Sequence, residues 1–185
     1  MPLGNRVKTD ELGTTYTSEI YPLGTTYVQL ADEVSGQDLL KADQTVAFTV
    51  ATSSAANLQQ GERTWIFVEA GENIAAGDLC KIDTTAAGTP YKVKKDAASE
   101  TFTYLLRGVA QFDIASGSYG WICAKGTVVV QAEGGVAAGN ALASDGDNTP
   151  GEVDTYTVDY GAPGNTAGAK TLSPTSSIVG VALDA

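Results

Sequence analysis

Thr64-Trp65-Ile66-Phe67-Val68 runs within two residues into Ala70-Gly71-Glu72-Asn73-Ile74-Ala75-Ala76-Gly77-Asp78, and the reading of this stretch decides the fold. The first part is short, β-branched and aromatic, which suits a strand and is too brief for a stable helix. The second part reads as a loop, one apolar residue (Ile74) turned inward, and a Gly-polar turn feeding the next short run, Leu79-Cys80-Lys81-Ile82. Glycine suits such a turn because it accepts positive φ without steric cost.

The same pattern returns. Ala132-Glu133-Gly134-Gly135-Val136-Ala137-Ala138-Gly139-Asn140 aligns with it at an offset of 62 residues, which also superposes Asp83 on Asp145. A shorter version is Ile114-Ala115-Ser116-Gly117-Ser118, and each copy follows a strand-like run: Trp65 to Glu69, Leu105 to Phe112, Thr127 to Gln131. A solenoid needs at least about three full repeats, so the copies read as hairpins within one domain.

Working outward, further strand-like runs are Thr25 to Leu30, Val46 to Val50, Tyr91 to Lys94, Phe102 to Ala110, Tyr119 to Ala124, Val153 to Val158 and Ile178 to Leu183. Several alternate apolar with polar residues, the period of a half-buried strand. The chain holds 26 Ala, 22 Thr and 21 Gly but 13 Leu, too few for Leu-rich helical stripes. The expected fold is mainly β, a compact small barrel or sandwich. Two weak helix candidates are Ala31 to Ala42, interrupted by Gly36, and Thr52 to Gln60.

Residues 1–60 differ in texture from residues 61–185. Tyr16, Tyr21 and Tyr27 are spread among Pro2-Leu3-Gly4, Thr14-Thr15-Tyr16-Thr17, Pro22-Leu23-Gly24 and Thr25-Thr26-Tyr27-Val28. Extended chain with separated aromatic anchors fits an arm that lies on another surface and adds strands to it. It fits equally a terminal strand packed on its own domain. Residues 61–185 form the expected β-rich body, with 144–175, rich in Asp, Gly, Asn and Pro, as an exposed insertion.

The 185 residues carry 22 acidic and 11 basic side chains, a formal charge of -11, and no histidine. The absent imidazole removes the commonest general base, the Ser-His-Asp and Cys-His arrangements and most catalytic zinc sites. The acidic charge argues against phosphate-backbone binding, so no nucleic-acid partner is expected. No run reaches the roughly 18 apolar residues of a membrane span, and Met1 to Arg6 lacks the apolar core of a secretory signal. Cys80 and Cys123 read as buried free thiols in a reducing compartment, with a single bridge left open.

Other chemistry finds little footing. Asp145, Asp147 and Asn148, with Glu152 and Asp154 nearby, place Thr149 and Pro150 where a calcium loop needs a ligand and a glycine, so they read as an Asp-Gly turn. No Gly-x-Ser-x-Gly nucleophile and no Gly-rich phosphate loop occurs. Lys92, Lys94 and Lys95 form the densest positive patch, which reads as protection of an exposed strand edge in preference to contact with an acidic surface. No catalytic residue, metal site or cofactor is expected.

Glu69 to Leu79, then Arg107-Gly108-Val109-Ala110, then Gly126-Thr127-Val128-Val129-Val130, the second Ala-Ala-Gly, and finally Ile178-Val179-Gly180-Val181-Ala182-Leu183 come in an order that resembles the capsid decoration (cement) proteins of tailed bacteriophages. The resemblance covers about residues 64–185, and its fold-motif residues are Ile74, Gly77, Asp78, Gly108, Val136, Gly139 and Gly180. It implies a β-tulip or β-clip body, a homotrimer, and an N-terminal arm touching the major capsid protein. On this reading Arg6, Lys8, Tyr16, Tyr21 and Tyr27 are the candidate capsid-contacting residues. It also implies a non-enzymatic virion protein, made in the host cytoplasm and seated on the capsid exterior, where it stabilises the expanded shell by bridging subunits. Deletion of Met1 to Leu30 is then expected to spare the body and abolish capsid binding. The rival expectation is a tail or fibre module that binds host glycans.

Overall fold

The computed structural model describes residues 11–29, 62–85, 89–96, 106–132, 135–144, 149–155 and 178–181. The helix candidates at 31–42 and 52–60 and the strand-like run at 46–50 lie outside these residues. What is described is mainly β: β1 (Thr26–Gln29), β2 (Arg63–Ala70), β3 (Leu79–Ile82), β4 (Lys92–Lys95), β5 (Leu106–Ala110), β6 (Tyr119–Lys125), β7 (Ala141–Ser144), β8 (Val153–Thr155) and β9 (Ile178–Val181).

The six-stranded sheet runs β1-β2-β4-β3-β5-β6, and β6 also pairs with β2. Five strands therefore close on themselves as a ring, β2-β4-β3-β5-β6, which is a small barrel. All neighbours in the ring are antiparallel except β2 and β4, whose parallel contact is only Glu69 with Lys92 and Ala70 with Val93. β1 takes the other end of that β2 edge, antiparallel, with Tyr27 opposite Trp65 and Gln29 opposite Arg63.

Alternation along the strands sorts the side chains. Ile66, Val68 and Ala70 of β2 meet Cys80, Val93, Ala110 and Ile122 in the barrel interior, together with Ile74 and Ile114. The opposite face of β2 and β6 presents Trp65, Phe67, Trp121 and Cys123, which pack with Leu12, Tyr21 and Phe112. The outer face of β3 and β5 presents Leu79 and Val109, covered by Leu142 of β7 and Val153 of β8. The barrel is thus sandwiched between residues 11–29 and the three-stranded sheet β8-β7-β9.

A local two-fold axis organises the barrel. Residues 70–78 and 110–118, forty positions apart, face each other through an antiparallel bridge at Ile74 and Ile114. Their hydrogen bonds come in equivalent pairs: Gly77 N to Ala110 O with Gly117 N to Ala70 O, both 2.7 Å, and Ala110 N to Asp78 O (3.0 Å) with Ala70 N to Ser118 O (2.9 Å). Side chains obey the same symmetry, since Asp113 Oδ1 accepts from Ala76 N (2.8 Å) and Asn73 Oδ1 accepts from Ser116 N (2.9 Å). Under this relation β2 with β6 is equivalent to β5 with β3: Glu69 opposite Tyr119 matches Val109 opposite Leu79.

Several expectations change. Of the region before residue 60, residues 11–29 are described, and they close one face of the barrel, with β1 hydrogen-bonded to β2. Within the expected insertion, Thr149 and Pro150 are exposed, but Gly151 and Val153 are buried, Gly151 N donates to Asp96 O, and Leu79 N donates to Gly151 O. The strand expected over Thr127 to Gln131 is an extended segment outside the ladders, apart from a parallel bridge just beyond it at Ala132 and Val153. Gln111 takes the part of its neighbouring strand, donating from Nε2 to Val129 O (2.8 Å) while Oε1 accepts from Val129 N (3.2 Å).

β4 is not an exposed edge, since β2 and β3 flank it. Its lysines are engaged within the body instead. Lys92 Nζ lies 2.7 Å from Glu69, Lys94 Nζ 3.9 Å from Asp83, and Lys95 N donates to Glu72. Cys80 and Cys123 are both free and buried, but in different clusters, Cys80 inside the barrel and Cys123 on its outer face.

Candidate functional site

The turns that carry the sequence motifs are one geometry used three times. Asp78 N bonds to Ala75 O (3.1 Å), Ser118 N to Ala115 O (2.9 Å) and Asn140 N to Ala137 O (3.0 Å), each closing a four-residue β-turn. The third residue is Gly77, Gly117 or Gly139, with φ of 93°, 74° and 88°. That left-handed conformation is why glycine recurs at this point. In two copies the last residue also caps the first: Asp78 Oδ2 accepts from Ala75 N and Asn140 Oδ1 from Ala137 N, both at 2.7 Å. Burial pushes the Asp78 carboxyl above its ordinary range, against the opposing pull of the Ala75 N–H.

Ile74, Gly77 and Asp78 lie in the turn at the two-fold centre, and Gly108 lies on β5 opposite Cys80. Gly108 is held there by contact as well as pairing, for a Cβ added to it would lie 2.4 Å from Cys123 O. Val136 turns inward against the cluster of Leu79, Val109, Leu142 and Val153, while Gly135 and Ala137 to Gly139 are exposed. Gly180 lies in β9 opposite Leu142, with nothing within 4 Å of an added Cβ.

The tyrosines occupy a different setting from the one their spacing suggested as an arm. Tyr21 is buried at 7% exposure between Phe67 and Trp121, with ring centroids 5.5 Å from each. Its hydroxyl donates to Glu11, and burial followed by the Glu11 contact pushes its pKa up to about 12. Tyr16 exchanges backbone bonds of 2.8 Å with Tyr119 and packs beside Phe67, and Tyr27 is half-buried on the same cluster. All three face their own barrel. Arg6 and Lys8 lie outside the described residues. Deleting Met1 to Leu30 would therefore strip a barrel face of its cover.

The outward side of this same segment went unnoticed in the sequence. Among the described residues, the exposed large hydrophobic side chains are Ile20 (42%) and Val28 (45%). Val28 sits on β1, whose edge away from β2 pairs with no described strand. Alternation around Tyr27, whose ring must face the core, is the signal that would have turned Val28 and Thr26 outward. Among the described residues, residues 11–29 thus present an unpaired β1 edge and two exposed apolar side chains.

Among the described residues no group of three or more His, Cys, Asp or Glu is arranged to hold a metal ion. Nor is any helix there long and apolar enough to cross a membrane. In comparisons with protein-family models, with curated proteins and with solved structures, nothing matches this chain.

Proposed function

We propose that the protein is a non-enzymatic decoration protein of a bacteriophage capsid, binding the outer face of the shell and stabilising its expanded form by bridging neighbouring subunits. The observation that carries this reading is the placement of Ile74, Gly77 and Asp78 in one of two equivalent turns that meet at the barrel's two-fold centre. The Ala-Ala-Gly elements that resemble decoration proteins are one turn geometry, used at 75–78 and again at 137–140.

The contact with the shell is assigned to the outward side of residues 11–29. The edge of β1 that pairs with no described strand offers backbone donors and acceptors to a strand of the major capsid protein, while Ile20 and Val28 offer apolar area. Arg6 and Lys8, which precede this segment in sequence, remain candidate contacts with the shell. As a homotrimer, the protein would place three such edges on one particle, and linked sites raise avidity by roughly 10²–10⁴-fold over one. The acidic surface keeps the free protein soluble and away from nucleic acid.

The test is to mix the purified protein with expanded, undecorated shells and image them. Binding at defined lattice positions is expected, and its loss in an Ile20→Ser/Val28→Ser double variant that folds normally. Absence of the wild-type protein from the shell overturns the reading.

A further inference from the structure

One buried ionic cluster has no place in capsid contact. Lys81 of β3 and Asp96, the residue after β4, lie between the barrel and the β8-β7-β9 sheet with side-chain exposures of 1% and 6%. The local two-fold places Lys81 where the other half of the barrel has Trp121, a position built for a buried apolar side chain. Lys81 Nζ is 3.1 Å from Asp96 Oδ1, and the Ser144 hydroxyl from β7 donates to Asp96 Oδ2. The backbone of Asp96 is fixed on both sides, its N–H on Leu79 O and its carbonyl on Gly151 N–H, each at 2.8 Å.

We propose that Lys81 and Asp96 join spontaneously through an amide bond between Lys81 Nζ and Asp96 Cγ, releasing one water. Removal of an ammonium and a carboxylate from water is costly, and an amide carries no charge. The two groups are also held in contact by the strands on which they ride, which supplies the proximity that such a condensation lacks in solution. The proton balance closes within the pair. One proton passes from Nζ to Oδ1, giving a neutral amine and a carboxylic acid. The nitrogen lone pair then forms the Nζ–Cγ bond, and the negative charge that develops on Oδ2 is met by the Ser144 hydroxyl. A second proton leaves the nitrogen for Oδ1, the Cγ–Oδ1 bond breaks, and Oδ1 departs as water. No oxidant, metal or cofactor enters. The product ties β3 to the end of β4 covalently, one strand away from the short parallel contact of β4 with β2.

Intact-mass measurement and tryptic mapping of the full-length protein decide the matter. The expected mass is lower by one water, about 18 Da. Cleavage after Lys81 is expected to be absent, with a linked peptide joining residues 81 and 96. Lys81→Arg and Asp96→Ala variants are expected to show the full sequence mass and, where they fold, a lower Tm. The mapping is essential because Asp145-Gly146 can itself lose water as a cyclic imide. A wild-type chain that keeps its full mass after prolonged incubation, or whose lost water maps to Asp145, overturns the proposal. Since the wild-type map alone suffices, a variant that fails to fold leaves the result intact.

Discussion

Ile74 and Ile114 exchange both backbone hydrogen bonds, N to O at 3.0 and 2.9 Å, across the two-fold centre of the barrel. Each side chain is buried in the interior that both halves share. Because the two residues belong to equivalent turns, the centre is stabilised twice by one local design, and the barrel's two outer faces become equivalent as well. Those faces differ in their covers, residues 11–29 on β2 and β6 and β7 with β8 on β3 and β5, and in the side chains they present, Trp121 on one and Lys81 at the equivalent place on the other.

The two Gly-Val-Ala segments separate under substitution. A Cβ at Gly108 meets Cys123 O at 2.4 Å and Cys123 C at 2.8 Å, backbone atoms that move only if β5 and β6 part. Gly108→Ala is expected to cost about 1–3 kcal/mol by overpacking. Gly180→Ala meets nothing within 4 Å and is expected to fall within about 0.5 kcal/mol of wild type. Urea unfolding of both variants checks the contrast, and equal losses would refute it.

Asp78 is predicted to be replaceable by the residue its own repeat uses. Asn140 caps Ala137 N at the same 2.7 Å that Asp78 achieves on Ala75 N, without a charge. Burial raises the Asp78 pKa in the folded state. The sign follows: its contribution is complete below the unfolded carboxylate pKa and is lost as pH rises through the folded one, so at pH 7 the ionised form is a burden. Asp78→Asn is therefore expected to match or exceed wild-type stability at pH 7, with the advantage shrinking in acid. Asp78→Ala loses the cap and is expected to cost roughly 1 kcal/mol. Thermal melts across pH would contradict this if Asn proved as damaging as Ala.

The turns and most strands were legible because their signals are local. Gly77 and Gly139 announce positive φ, and Trp65 to Val68 or Tyr119 to Ala124 can do little but form strands. What escaped depends on partners. Val128 and Val130 look like strand residues, yet the neighbour of that segment is the Gln111 side chain, which no β-propensity foresees. Ala141 to Ser144 has weak strand propensity and forms β7 because β8 and β9 flank it. Three spaced tyrosines read the same whether their pockets lie on another protein or on Phe67 and Trp121. Lys81 on a strand reads as solvent-facing until a second sheet is found above it.

Alkaline unfolding is expected to report Tyr21. Its phenol is pushed up to about 12 from 10.0, chiefly by burial and then by the hydrogen bond and charge of Glu11. A raised folded pKa means stability that is full below pH 10 and lost between there and about 12, as the unfolded chain ionises more readily. Two units correspond to about 2–3 kcal/mol at most. Tyr21→Phe keeps the ring between Phe67 and Trp121, loses about 1 kcal/mol at neutral pH and lacks this step. Parallel alkaline declines in the two proteins would rule out the assignment.

Truncation distinguishes an appended arm from an integral cover. Removing residues 1–29 takes Leu12, Tyr16, Tyr21, Leu23 and Tyr27 off Trp65, Phe67 and Trp121, and deletes the β1 ladder. Three aromatic side chains facing water forfeit several kcal/mol at about 25 cal/mol per Å² of apolar surface, a large share of a typical domain's roughly 5–15 kcal/mol. The truncated chain is expected to be unfolded or to bind hydrophobic dyes, with tryptophan emission shifted to the red. Leu12→Ala, at about 2–5 kcal/mol, gives the graded version of the same loss. A 30–185 fragment with native Tm and blue-shifted tryptophan emission would show that the cover is dispensable and restore a detachable arm. Measured beside shell binding, these variants separate the two roles of this segment: its inner face holds the barrel, and its outer face, with Ile20 and Val28, meets the capsid.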